Sequence, residues 1–189
     1  KNLAGFNNEM VTEGLDGLRG RLIEYFDLGA RFAKWRAVIN ISDKLPTIGG
    51  ILANTHALAR YAALCQENGL VPIVEPEVLM NGEHNIERCY EVSCKTLELL
   101  FQDLSNQNVM LEGIVLKPNM IISGIECSNQ ASVKKVAELT IKCFKKFVPS
   151  NLPGIAFLSG GQSSDVATEH LNTMNRNYPN LPWNLTFSY

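Results

Sequence analysis

No stretch of this sequence approaches the roughly 20 consecutive apolar residues of a membrane-crossing helix. No Cys-x-x-Cys pair and no Cys/His spacing of the zinc-binding kind is present. The five cysteines, Cys65, Cys89, Cys94, Cys127 and Cys143, are odd in number and irregularly placed. They read as free thiols in a reducing compartment, which points to the cytoplasm. His56, His84 and His170 share no ligand spacing, so neither a metal nor another cofactor is expected. A formal net charge of −2 over 189 residues removes the electrostatic case for nucleic acid or a membrane surface as partner. The opening KNLAGFNNEM lacks the apolar core of a signal peptide. Also missing are a Gly-rich dinucleotide fingerprint, a nucleophile elbow and any low-complexity linker.

What is present is an ordinary globular composition, 46% hydrophobic, arranged as short apolar runs between longer amphipathic ones. The short runs, each about a strand long, are Phe32–Ile41, Val71–Glu75, Gly113–Met120, Gly154–Ser159 and Trp183–Tyr189. Helical patterns lie between them. One is capped by Thr47 and stops at Gly69, and one starts near His84. A third opens at Ser128 or Ser132 and ends at Pro149. A fourth opens at Ser163 or Ser164, and an earlier helix covers roughly 14–28. Alternation of this kind predicts a parallel sheet with covering helices. No Gly-rich fingerprint follows an early strand, and polar residues fall at the expected C-terminal ends of nearly every strand: Lys34 and Arg36, Glu75 and Glu77, Lys117 and Asn119, Ser159 and Ser188. The expected fold class is therefore α/β, a (β/α)8 barrel rather than a doubly wound sheet. Five strands fall short of eight, and the sequence stops on the last of them, so either the chain is part of a longer protein or an incomplete barrel covers its exposed edges in some other way.

The stretch EGIVLKPNM sets Lys117 in an otherwise apolar run. A lysine in a barrel strand is either buried or at the catalytic mouth. Burial disfavours an ammonium. A desolvated lysine beside other cations is a usable amine nucleophile and can form a Schiff base with a carbonyl. In FAKWR, Lys34 and Arg36 alternate around Trp35 and so project to one face, where they could supply those cations or hold an anionic substrate. VPIVEPE places Glu75 and Glu77 on one face, as candidate acid/base groups or as ion-pair partners of Lys34 and Arg36. In LSGGQSS, Ser159, Gly160 and Gly161 follow an apolar run and precede a helix, an arrangement that suits a phosphate. Ser188, in LTFSY, ends the last strand.

The stretches FAKWR, GLVPIVEPE, LEGIVLKPNM, FLSGGQS and PWNLTFSY closely resemble class I fructose-bisphosphate aldolases, in that family's order and across essentially the whole chain. The resemblance implies a (β/α)8 barrel that cleaves fructose 1,6-bisphosphate reversibly to dihydroxyacetone phosphate and glyceraldehyde 3-phosphate, in glycolysis and without metal. It implies Lys117 as the Schiff-base lysine, Glu75 as the main acid/base group with Glu77 its neighbour, and Lys34 beside the reacting carbons with Arg36 as its companion. Ser159, Gly160, Gly161 and Ser188 would bind a phosphate. A homotetramer and binding to actin filaments are further family properties. Family members are longer at both ends, and carry there an active-site aspartate and lysine, a phosphate-holding arginine and a tyrosine-ended tail. The resemblance thus implies that residues 1–189 are one partial barrel domain lacking its N-terminal strands and its C-terminal helix and tail. A molecule of only 189 residues is therefore expected to be inactive. A non-catalytic scaffold and a lyase acting on another phosphosugar are the alternatives.

Overall fold

A computed structural model describes residues 1–6 and 8–189. The chain alternates α1 (Leu18–Asp27), β1 (Phe32–Ile39), α2 (Ile48–Glu67), β2 (Val71–Val78), α3 (Ile86–Asn106), β3 (Val115–Leu116), α4 (Val133–Phe147), β4 (Gly154–Phe157), α5 (Ser164–Asn177) and β5 (Asn184–Phe187). A single 3-10 turn, Leu111–Gly113, precedes β3.

Helix starts follow local chemistry. Thr47, Asn85, Ser132 and Ser163 each accept a hydrogen bond from a backbone N–H three residues on, which satisfies one of the donors left free at a helix start. The expected caps at Thr47, Ser132 and Ser163 are therefore present, and α3 is capped by Asn85, one residue after His84. Helix α1 is shorter than expected. It begins behind Gly17, whose φ of 67° breaks the helical path.

All five strands pair in parallel, in the order β1-β2-β3-β4-β5. This sequential order is that of a barrel wall, whereas a doubly wound sheet turns back at a switch point. Helices α2 to α5 pack on one another in succession, and α2 also packs on β1 and β2. Period-two alternation decides which side chains meet them. Trp35, Ala37 and Ile39 are buried, and Trp35 lies against Tyr61 of α2 with ring centroids 5.5 Å apart. At the other end of the sheet, Phe157 stacks on Phe144 of α4 at 5.6 Å, and Trp183 meets the same phenyl edge-on. Burying side chains of this size stabilises the fold by about 1.5–3 kcal/mol each.

Three strands differ from expectation. Strand β2 continues to Val78, so Glu75 and Glu77 lie inside it and not past its end. Lys34 and Arg36 likewise lie in the middle of β1 and not at its C-terminal end. Strand β3 is only Val115–Leu116. The cause is a pair of prolines. On β2 the backbone groups of Val74 face β3, as the Lys117 N–H donation to the Val74 carbonyl shows. By the period of two, Pro76 faces β3 as well, with no N–H to give. Pro118, one residue after Lys117, faces β4 instead, where its carbonyl accepts the Leu158 N–H and it has no N–H to give in return, so each ladder of β3 loses a donor there. Beyond the break a side chain takes over: Asn119 Oδ1 accepts the Val78 N–H at 2.9 Å, and its Nδ2 donates to Ser93 Oγ at 3.3 Å.

Two loops at the C-terminal end of the sheet lock together. Gly124 donates to the His84 carbonyl, Ile125 to Met80 and Glu126 to Gly82, at 2.7–3.0 Å. The approach requires glycine at 124, because an added Cβ would stand 2.2 Å from the Gly82 carbonyl oxygen.

Candidate active site

The face of β1 to β3 away from the helices gathers four charged side chains and the lysine that follows β3. Register places Arg36 of β1 opposite Glu75 of β2. The β2–β3 register, Ile73 with Val115 and Val74 with Leu116, continues one step and sets Lys117 beside Glu75. Lys117 Nζ is 3.5 Å from Glu75 Oε1, and Lys34 Nζ is 3.1 Å from Glu75 Oε2. The Glu75 side chain is 4% exposed and that of Lys117 13%, whereas Lys34 is 45% exposed. Glu75 Oε2 makes no hydrogen bond, so its contact with Lys34 is one of charge alone. Arg36 Nε donates to Glu77 Oε2 at 2.5 Å, and this hydrogen bond raises the guanidinium pKa above its already high ordinary value. Three basic side chains thus face two carboxylates, a set that suits an anionic substrate. One sheltered carboxylate stands between two amines.

A second group forms the turn after β4. Ser159, Gly160 and Gly161 lead to Ser163, the cap of α5. Gly160 and Gly161 have φ of 63° and 86°, a region glycine enters without strain. A Cβ on Gly161 would meet Met80 Sδ at 2.8 Å, so the turn also packs against the end of β2. Ser188 follows β5, and its N–H donates to the Phe157 carbonyl at 2.9 Å, which holds it at the same end of the sheet. The two groups are joined through the backbone, because the Leu158 N–H donates to the Pro118 carbonyl at 3.2 Å. Among the described residues no side-chain hydrogen bond or ion pair joins Ser159 or Ser188 to Lys117 or Glu75.

Three polar residues gain a place that their spacing did not reveal. Gln162 Nε2 donates to the Ser159 carbonyl at 2.8 Å, and its Oε1 meets His170 Nδ1 at 2.7 Å. His170, on α5, thereby braces the glycine turn. Burial lowers its imidazole pKa, which favours the neutral ring. Asn119, expected among the polar strand ends facing the barrel interior, is buried and bonds to Ser93 of α3. A glutamine directly after two glycines is the one local hint. The histidine is eight residues further on, and only the helix brings it back.

Residues 1–189 match the class-I fructose-bisphosphate aldolase family, described as glycolytic, from end to end. A probable fructose-bisphosphate aldolase class 1 of Xanthomonas campestris is 63% identical over 99% of this chain and 56% of its own length. The cytoplasmic isozyme of Spinacia oleracea is 50% identical over 99% of this chain and 52% of its own. Among solved structures, fructose-bisphosphate aldolase from Plasmodium falciparum, crystallised with TRAP and a small-molecule inhibitor, superposes with a TM-score of 0.97 at 47% identity, over 100% of this chain and 55% of that one. The chain thus spans about half the length of the curated relatives it matches, and its five parallel strands are those of an aldolase barrel. By a sequence match from its first residue to its last and by its fold, the chain belongs to the class-I fructose-bisphosphate aldolase family.

Proposed function

We propose that these residues carry the central chemistry of a reversible aldol cleavage, in which fructose 1,6-bisphosphate gives dihydroxyacetone phosphate and glyceraldehyde 3-phosphate through a Schiff base on Lys117. The observation that carries this reading is the placement of the Glu75 carboxylate between two amines, 3.5 Å from Lys117 and 3.1 Å from Lys34.

Each residue has a step. The unprotonated Lys117 amine adds to the substrate ketone, and loss of water leaves an iminium. The iminium draws in the electron pair of the breaking carbon–carbon bond and becomes an enamine. Glu75 supplies and removes the protons of carbinolamine collapse and cleavage. Lys34, charged and beside Glu75, stabilises negative charge as it develops. Arg36, held by Glu77, adds positive potential at the anionic substrate. The amides of Ser159–Gly161 and the N-terminus of α5 bind the phosphate nearest the ketone, with Ser188 assisting. Fixed phosphates position the ketone carbon for attack. The cytoplasmic and cytosolic naming of plant relatives supports a cytoplasmic setting, and a homotetramer is the assembly this reading carries.

The test is borohydride reduction of the full-length protein mixed with dihydroxyacetone phosphate. A stable adduct on the peptide containing Lys117 supports the reading. Lys117→Arg, whose guanidinium does not deprotonate near neutrality, should give neither adduct nor turnover. Turnover retained by Lys117→Arg would end the covalent mechanism.

A further inference from the structure

Away from the site, two cysteines separated by 49 positions come together. Cys94 on α3 and Cys143 on α4 place their Sγ atoms 3.0 Å apart. Cys143 is fully buried, and Cys94 keeps 8% of its surface open. No other pair among the five cysteines makes a sulphur–sulphur contact among the described residues.

The surroundings treat the two sulphurs differently. The hydrogen bond with Cys143 holds the Cys94 thiol below its ordinary pKa, against the opposing effect of burial, and Tyr90, Lys146 and Lys142 add to the lowering. The same contact, together with burial, pushes Cys143 up. One sulphur is therefore the more readily deprotonated of the two and has a small opening to solvent, and its neighbour is a thiol within reach. A nucleophilic thiol with a second thiol poised behind it is the arrangement of a redox pair.

We propose that Cys94 and Cys143 form a reversible disulfide, with hydrogen peroxide as the oxidant. The Cys94 thiolate attacks one peroxide oxygen, the O–O bond breaks, and the departing hydroxide takes a proton to become water. Cys94 is then a sulfenic acid. Cys143 attacks that sulphur and its proton goes to the expelled hydroxide, giving a second water and the S–S bond. Two thiols lose two electrons and two protons in total, and the peroxide gains them. Closing the sulphurs from 3.0 Å to a bond length of about 2.05 Å takes a movement of about 1 Å, which side-chain rotation can supply. The thiols thus remain free under reducing conditions and pair when peroxide rises.

The test treats the full-length protein with peroxide, blocks remaining thiols under denaturing conditions, and maps tryptic peptides by mass. The expected product is the peptide 89–95 linked to the peptide 143–145, lighter by two hydrogens than the separate thiol peptides and separated again by dithiothreitol. Because Cys89 shares a peptide with Cys94, Cys89→Ser must keep the link and Cys94→Ser must lose it. In Cys143→Ala, Cys94 should stop at the sulfenic acid and react with dimedone. Full recovery of both thiols after peroxide treatment of the unaltered protein, or a link that survives Cys94→Ser, would overturn the proposal.

Discussion

Gly124→Ala sets two effects against each other, and the structure decides which wins. Glycine to alanine normally stabilises a protein by about 0.4–1 kcal/mol, because the unfolded chain has fewer conformations to lose. Here the new Cβ would lie 2.2 Å from the Gly82 carbonyl oxygen and 3.1 Å from the His84 nitrogen. Both obstacles are backbone, so no side chain can swing away. The segment must retreat by about 1 Å, and the hydrogen bonds from Gly124, Ile125 and Glu126 to the loop after β2 stretch beyond useful length. Three backbone hydrogen bonds at a net of about 1 kcal/mol each come to about 3 kcal/mol. After the entropic gain, the variant should be less stable by about 2–3 kcal/mol. Urea unfolding of the full-length protein checks this: the midpoint should fall with the slope unchanged. A midpoint equal to or above that of the unaltered protein would refute the reasoning, since it would mean that chain entropy outweighs the steric clash.

Two further outcomes follow from the site. Glu75→Gln keeps shape and burial but cannot carry a proton. kcat/KM for fructose 1,6-bisphosphate should therefore fall by about 10²- to 10⁴-fold, while circular dichroism shows the fold retained. Burial lowers the pKa of His170 in the folded state below the ordinary imidazole value near 6.5. The unfolded chain then binds the proton more readily, so the stabilisation is complete above about pH 6.5 and is lost as pH falls through the lower folded-state value. Thermal melting from pH 7 to 5 should show a falling midpoint, and His170→Gln should flatten that fall; an unchanged slope would remove His170 from the account.

Much of the architecture was legible because its signals are local. Thr47, Ser132 and Ser163 cap helices through atoms three residues away, and Pro149 ends α4 by what it lacks. The shared face of Lys34 with Arg36, and of Glu75 with Glu77, needs only the strand period of two. Which lysine meets which glutamate is a different kind of fact. It depends on register between strands about 40 residues apart, and no period within one strand contains it. The length of β3 failed for the same reason: it depends on which neighbouring strand the missing N–H of Pro76 and that of Pro118 each face. Asn119 looked like a site residue by its position, yet the unpaired Val78 N–H turned it to another task. The contact of Cys94 with Cys143 joins two helices whose cysteines, taken singly, read as inert apolar residues. The nucleophile reading of Lys117 and the acid/base reading of Glu75 and Glu77 came from residue type and strand face. The assignment of Glu75 as the main acid/base group came from family resemblance, and register supplies the geometry that makes them compatible.

The sheet carries a tryptophan near each end, Trp35 on β1 between Lys34 and Arg36, and Trp183 just before β5. Both are buried, but Trp183 Nε1 donates to the Pro149 carbonyl at 2.8 Å while Trp35 Nε1 is left without an acceptor. Their indoles therefore sit in surroundings of different polarity, and their emission spectra should be separable. Replacing Trp183 with phenylalanine leaves Trp35 as the one tryptophan of these 189 residues, next in sequence to the lysine that faces Glu75. Ligand titrations at that strand could then be followed by light, with no label attached.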